Sequence, residues 1–205
     1  MYPELDELDF DGLRAAFEGP PVDGDEFAAS YFDEVAIRIR RVGDEQGVHY
    51  LLSQAERVDP ARLQAIFVAL TMPPPINRPD VHVLLMSHLD DEHELVVASV
   101  IDGLAVLGGV ADTRPEVSRR HDDARSLVRG AVLRYLAQVD GQRAIPTLIE
   151  ALDDPDPRVR ENAIDELDEL EAEVAVSNVQ RLTSDPNPKC SAGGGDLPSP
   201  SARTV

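Results

Sequence analysis

Apolar positions along the chain fall into a recurring stripe. It is clearest in three segments: Val96, Val97, Val100, Ile101, Leu104 and Leu107; then Val128, Val132, Leu133, Leu136 and Val139; then Val159, Ala163, Ile164, Leu167 and Leu170. Positions i, i+4, i+5, i+8 and i+11 recur in all three, which is one face of an amphipathic helix. Each stripe follows an acidic pair, Asp90-Asp91, Asp122-Asp123 and Asp153-Asp154, spaced by 32 and 31 residues. A second helical stretch precedes the first and last pairs, on Val81, Leu84, Leu85 and Leu89 and on Ile145, Leu148, Ile149 and Leu152. The repeated unit is therefore helix, tight acidic turn, helix. In the central copy the segment Pro115 to His121 is short and charged, which predicts a brief first helix.

Upstream, Gly47 to Arg57 and Ala61 to Met72 predict a further helix pair with Asp59-Pro60 at its turn. Residues 71–79 interrupt the helical pattern with four prolines and predict a stiff connection. Farther back, Pro3 to Glu18 and Asp25 to Val42 read as two helices separated by Gly19-Pro20-Pro21. Val174 to Thr183 opens a last first-type helix, and Asp185-Pro186-Asn187-Pro188 repeats the turn of Asp154-Pro155-Asp156-Pro157. The expected organisation is an N-terminal helical segment over 1–44 and an array over 45–188. The array's units are about 45–72, 80–107, 115–139 and 143–170, with a partial one over 172–188. Residues 189–205, rich in Gly, Ser and Pro, read as a disordered tail. The fold class expected is all-α, with helix pairs stacked side by side.

Composition narrows the function classes. Lys and Arg total 19 against 39 Asp and Glu, a formal charge of −20, which disfavours phosphate backbones and anionic lipid and favours a protein partner with a basic surface. The same charge also serves solubility. Neither a leader segment nor an apolar run of membrane-spanning length is visible, so the cytoplasm is the expected compartment. The single cysteine, Cys190, excludes a disulfide within the chain. The charge is banded: residues 1–34 hold eleven acids and one base, 114–134 six arginines and three acids, and 143–173 eleven acids and three arginines.

The segment 143–170 resembles a HEAT repeat of the bacterial, phycobilin-lyase-like type, through Leu152, Asp154, Val159, Arg160, Ala163 and Leu167. The resemblance covers about half the chain, with 81–107 and 115–139 as weaker copies. It implies a right-handed α–α superhelix, a HEAT-like solenoid of helix pairs, in which turn aspartates and the following arginines form a hydrogen-bonded ladder. Here the aspartates are Asp91, Asp123 and Asp154 and the arginines Arg129 and Arg160, while Val97 departs from the pattern. An aspartate before a helix also satisfies free backbone N–H groups, whatever the family.

Catalysis finds little support. The pair His93-Glu94 resembles one half of the di-iron site of deoxyhypusine hydroxylases, but the equivalent positions are Arg125-Ser126 and Asp156-Pro157, which cannot complete it. No Gly-x-Ser-x-Gly elbow occurs, and Gly108-Gly109 suits a helix C-cap better than a phosphate loop. No enzyme activity, cofactor or metal is expected. Partner binding is assigned instead to Glu161, Asp165 and Glu169, in a row at i, i+4 and i+8 with Asp168 beside it, and to Arg134, Tyr135 and Asp102. Arg134 and Tyr135 align with Asp102-Gly103 and Asp165-Glu166 of the neighbouring units. The expected function is an adaptor that binds a protein. Among HEAT-repeat proteins, small acidic bacterial chains of this kind are often immunity proteins, which points to a basic toxin as partner. The alternatives are a regulatory scaffold and a lyase-like chaperone holding a chromophore.

Overall fold

A computed structural model describes residues 2–20, 28–108, 113–184 and 187, and every regular element among them is helical. The chain divides into two compact units, Met1–Leu107 and Gly108–Val205.

In unit 1 a 3-10 turn (Pro3–Leu5) leads to α1 (Phe10–Glu18), whose N-cap Asp9 accepts a hydrogen bond from the Gly12 amide at 2.9 Å. The next element, α2 (Ala28–Gln54), is broken at Asp44, where φ is 49° and ψ −126°. Beyond the break the Gly47 backbone lies directly against Ile39, so the two arms of α2 fold back on each other; they correspond to the helices read over Asp25–Val42, of which 25–27 lie outside the described residues, and Gly47–Arg57. α3 (Pro60–Thr71) follows, with Asp59 accepting from the Ala61 and Arg62 amides at 3.0 and 3.1 Å, and then α4 (Pro79–Ser87) and α5 (Glu94–Val106). Arg40 holds the proline connection by donating to the carbonyls of Ala69 at 2.6 Å and Met72 at 2.9 Å, and to that of Pro74.

The boundary expected at 44/45 falls at the break inside α2 and does not separate two bodies. Residues before and after it share one core. Phe17 of α1 is edge-on to Phe32 at 6.0 Å and to Tyr50 at 6.3 Å, and the Tyr50 hydroxyl donates to Glu18 at 2.8 Å. Arg62 closes the end of α1: its guanidinium lies 3.9 Å over the Phe32 ring and donates to the Phe17 carbonyl at 2.6 Å and to the Gly19 carbonyl. The N-terminal segment is thus the wall of the first helix pairs. Aromatic packing, absent from the repeat pattern, is what attaches it.

Asp33, on the first arm of α2, is one of several unit 1 side chains with a buried polar atom that lacks a partner, beside Arg14, Gln64 and His82. Its Oδ1 is buried without a hydrogen-bond partner, and burial pushes its pKa up from 3.8 to about 6. A carboxyl with a raised folded pKa favours the folded state below its unfolded pKa, and this advantage is lost as pH rises through the folded value. The shift is worth about 3 kcal/mol at full burial and roughly 1–2 kcal/mol once partial exposure is discounted. Asp33→Asn is therefore expected to match wild type near pH 4 and to exceed its unfolding free energy by about that amount at pH 7, as read from urea melts at the two pH values.

Unit 2 contains α6 (Arg114–Ser118), α7 (Ser126–Asp140), a 3-10 turn (Gly141–Ala144), α8 (Ile145–Ala151) and α9 (Pro157–Glu169). α10 (Val176–Gln180) lies between short 3-10 turns at Glu173–Ala175 and Arg181–Ser184. α7 packs along α9, and α8 packs on α9 as the first helix of its pair. α6 has only five residues, as the charged Pro115–His121 segment predicts. Gly141 ends α7 with φ +56°, a conformation that costs glycine little. The tail assigned to 189–205, with Cys190, and most of the turn Asp185–Pro188 lie outside the described residues, as does Gly109.

Candidate protein-interaction face

The acidic turns do structural work in both units. Asp91, Asp123 and Asp154 each accept the backbone N–H two residues ahead, from His93, Arg125 and Asp156, at 2.8–2.9 Å. The N-cap proper of α9 is Asp156, which takes the Arg158 amide at 2.9 Å. In unit 2 the ladder is present. Arg129 forks onto Asp154, with Nε at 2.8 Å from Oδ2 and Nη2 at 2.7 Å from Oδ1, and its Nη1 donates to the Asp123 carbonyl at 2.7 Å. Arg160 donates to the Asp154 carbonyl at 2.8 Å. The bond to Asp154 raises the Arg129 pKa above its ordinary value.

In unit 1, Val97 stands where the arginine would be and is buried. Asp91 is served by histidines instead, with His93 Nδ1 at 3.1 Å and His88 Nδ1 at 3.5 Å. Burial alone would push the Asp91 pKa up. The His93 amide and the two imidazoles outweigh it and hold the carboxyl low. His93, noted in the sequence, and His88 thus act as local partners of a turn aspartate. Among the described residues no group of three or more His, Cys, Asp and Glu is placed to hold a metal.

Tyr135 is not at the surface. It is fully buried, and its hydroxyl lies 2.9 Å from Thr113 Oγ1, itself 1 % exposed. The assignment to a partner-binding anchor is corrected: Tyr135 belongs to the core of unit 2. In the sequence, Val128, Val132, Tyr135 and Val139 stand at i, i+4, i+7 and i+11, a spacing compatible with an inward face that the aligned Gly103 and Glu166 do not decide. Arg134 sits one position around the helix, half-buried, and donates from Nη1 to Asn162 Oδ1 at 2.6 Å. Asn162 Nδ2 in turn donates to the Arg158 carbonyl at 2.6 Å, which ties α7 to α9.

The acidic row remains as a surface. Asp165, Asp168 and Glu169 are exposed on α9, with Glu161 half-buried above them. Glu161 and Asp165 are engaged, whereas Asp168 and Glu169 form no ion pair among the described residues. Both occupy the last turn of α9, beside the negative end of the helix dipole, and no basic residue lies in that turn. Acids there cost the helix about 0.3–1 kcal/mol each, and Asp165 and Glu169 add like-charge repulsion at i, i+4. Exposed Glu171 follows directly, held at φ 49°. Asp102, the other residue assigned to binding, is half-buried on α5, in unit 1.

Comparison with known proteins agrees with this architecture. Residues 113–192 match the family model of HEAT repeats. A structure of the complex of CpcE and CpcF of phycocyanin lyase from Nostoc sp. PCC7120 is similar at 16 % identity with a TM-score of 0.56, over 92 % of this chain and 82 % of that one. An engineered protein is similar at 15 % identity with a TM-score of 0.55, over 93 % of this chain and 90 % of that one. Identities this low show the fold, and the fold is the all-α, HEAT-like arrangement of helix pairs that the sequence pattern predicts. No curated protein matches the chain in sequence. None of the helices among the described residues is long and apolar enough to cross a membrane.

Proposed function

We propose that this chain is a protein-interaction module of the HEAT-repeat type, and that the exposed end of α9 in unit 2 grips a partner with a basic surface. The observation that carries this reading is the placement of Asp168 and Glu169. They crowd the wrong end of a helix dipole, uncompensated by any cation in that turn, so they lower the stability of the fold that carries them. Opposite charge supplied by a partner removes that cost on binding. In this reading the chain performs no covalent chemistry. The finer reading, an immunity protein that covers a basic toxin, fits the charge of −20.

Asp168→Lys combined with Glu169→Lys tests it. The double variant is expected to be as stable as wild type or more so by about 1 kcal/mol, because cations suit that helix end. In capture experiments from the native host, wild type retains a basic protein and the variant retains about ten-fold less of it, with wild-type capture weakening as salt rises. Equal capture by both proteins would falsify the face. Neutralisation of the captured protein's toxicity by wild type and not by the variant separates an immunity protein from a general adaptor. A visible absorbance band that copurifies with the chain would favour the chromophore-holding alternative.

A further inference from the structure

Unit 2 holds two adjoining hollows of about 320 and 230 Å³ between α6 and α8, which share His121, Thr147 and Glu150. They exist because α6 stops after five residues, where α4, the corresponding first helix in unit 1, runs for nine. Beyond Ser118 the chain reads Arg119-Arg120-His121 and offers nothing apolar to continue the helix over that flank of α8. Leu133, Leu136 and Ala144, all buried, form an apolar floor.

One wall of the groove carries Arg143, Thr147 and Glu150, at i, i+4 and i+7, which places them on one face. The helical rise puts Arg143 and Glu150 about 10 Å apart along the axis. Both are exposed, and neither forms an ion pair or hydrogen bond among the described residues. Most other charges in the groove are already engaged. Arg114 forks onto Asp140 at 2.7–2.9 Å, Asp154 is held by Arg129, and Asp153 accepts from Arg181 at 2.8 Å. His121 Nε2 lies 3.0 Å from Asp122, an exposed acid at the Glu150 end. The groove therefore has an unspent cation at one end and an unspent anion at the other. Between them stand the Thr147 hydroxyl and, on the α6 side, Ser118, whose Oγ is buried and unpartnered.

We propose that this groove binds a short free peptide of about three residues, with its C-terminal carboxylate on Arg143 and its N-terminal ammonium on Glu150. An extended chain advances about 3.3–3.6 Å per residue, so a tripeptide spans about the 10 Å between the two charges. The guanidinium fork matches a carboxylate, and the Thr147 hydroxyl can serve a peptide N–H or carbonyl between the two ends. The floor accepts small apolar side chains. This site is independent of the α9 face, and neither reading depends on the other.

Trialanine, titrated into the isotope-labelled full chain and followed by NMR, is the test. It is expected to shift Leu133, Leu136, Ala144 and Thr147 saturably. N-acetyl-trialanine and trialanine amide each lose one terminal charge and are expected to bind about five-fold more weakly, and dialanine, too short to bridge, likewise. Arg143→Gln should weaken trialanine about as much as C-terminal amidation does and abolish the effect of amidation, while Glu150→Gln does the same for acetylation. Both side chains are exposed and unpaired, so the variants keep the wild-type spectrum elsewhere. Equal binding of blocked and free peptides, saturable shifts confined to other residues, or no saturation by roughly ten times the usual millimolar range of weak ligands would each overturn the proposal.

Discussion

Tyr135→Ala is expected to lower the unfolding free energy of unit 2 by about 3–5 kcal/mol, the range for removing a large aromatic from a packed core. The side chain is fully buried, so truncation loses its transfer free energy and leaves a cavity that neighbours on α7 and α9 cannot fill. Tyr135→Phe separates packing from hydrogen bonding. It keeps the ring but removes the hydroxyl that pairs with Thr113 Oγ1, for about 0.5–1.5 kcal/mol. Urea unfolding followed by far-ultraviolet circular dichroism measures both variants. A surface Tyr135 would instead give less than about 0.5 kcal/mol for each change. Any loss of partner binding in Tyr135→Ala must accordingly be read against its folded fraction.

Gly47→Ala is the second large effect, and its sign is opposite to the ordinary rule. In an exposed helix the change is favourable by about 1 kcal/mol. Here a methyl group on Gly47 would overlap the Ile39 carbonyl oxygen, stand 3.0 Å from its carbon and 3.1 Å from the Arg40 Cα. All three atoms are backbone, so no side-chain rotation relieves the overlap and the two arms of α2 must separate. The arms also hold Phe32 and Tyr50 of the aromatic core, so separation opens the packing around Phe17. A destabilisation of about 3 kcal/mol is expected, at the upper end of overpacking costs. Gly130→Ala is the control. Its methyl would meet Asn162 Nδ2 at 3.0 Å, a side-chain end that can move, so the change should cost under about 1 kcal/mol. Equal effects at the two glycines would show that the reversal in α2 is looser than described.

Most of the repeat was readable because its determinants are local and periodic. The stripes at 96–107, 128–139 and 159–170 become α5, α7 and α9, and the aspartates before them cap the turns. The short α6 follows from Pro115 and the charges after it. The Arg129–Asp154 fork was implied by the family resemblance and is found in the structure. Tyr135 was misread because a tyrosine beside an arginine suits a core or an interface equally, and aligned copies with Gly103 and Glu166 gave no sign of which way the position faced.

By itself, then, the amino-acid sequence determined the all-α class, the helix-pair repeat and the acidic capping turns, since each depends on residues within one or two helical turns of one another. Tertiary structure alone decided four things. Tyr135 is core, because Thr113 is brought to its hydroxyl from 22 residues away. Residues 1–44 belong with 45–107, because aromatic edges on α1 and both arms of α2 meet around Phe17. Asp33, half-buried, keeps one carboxyl oxygen buried without a partner. Arg143 and Glu150 stand unpaired on a groove, because the helix that would have covered them is too short. Each of these depends on which distant surfaces meet, and the repeat period carries no record of that.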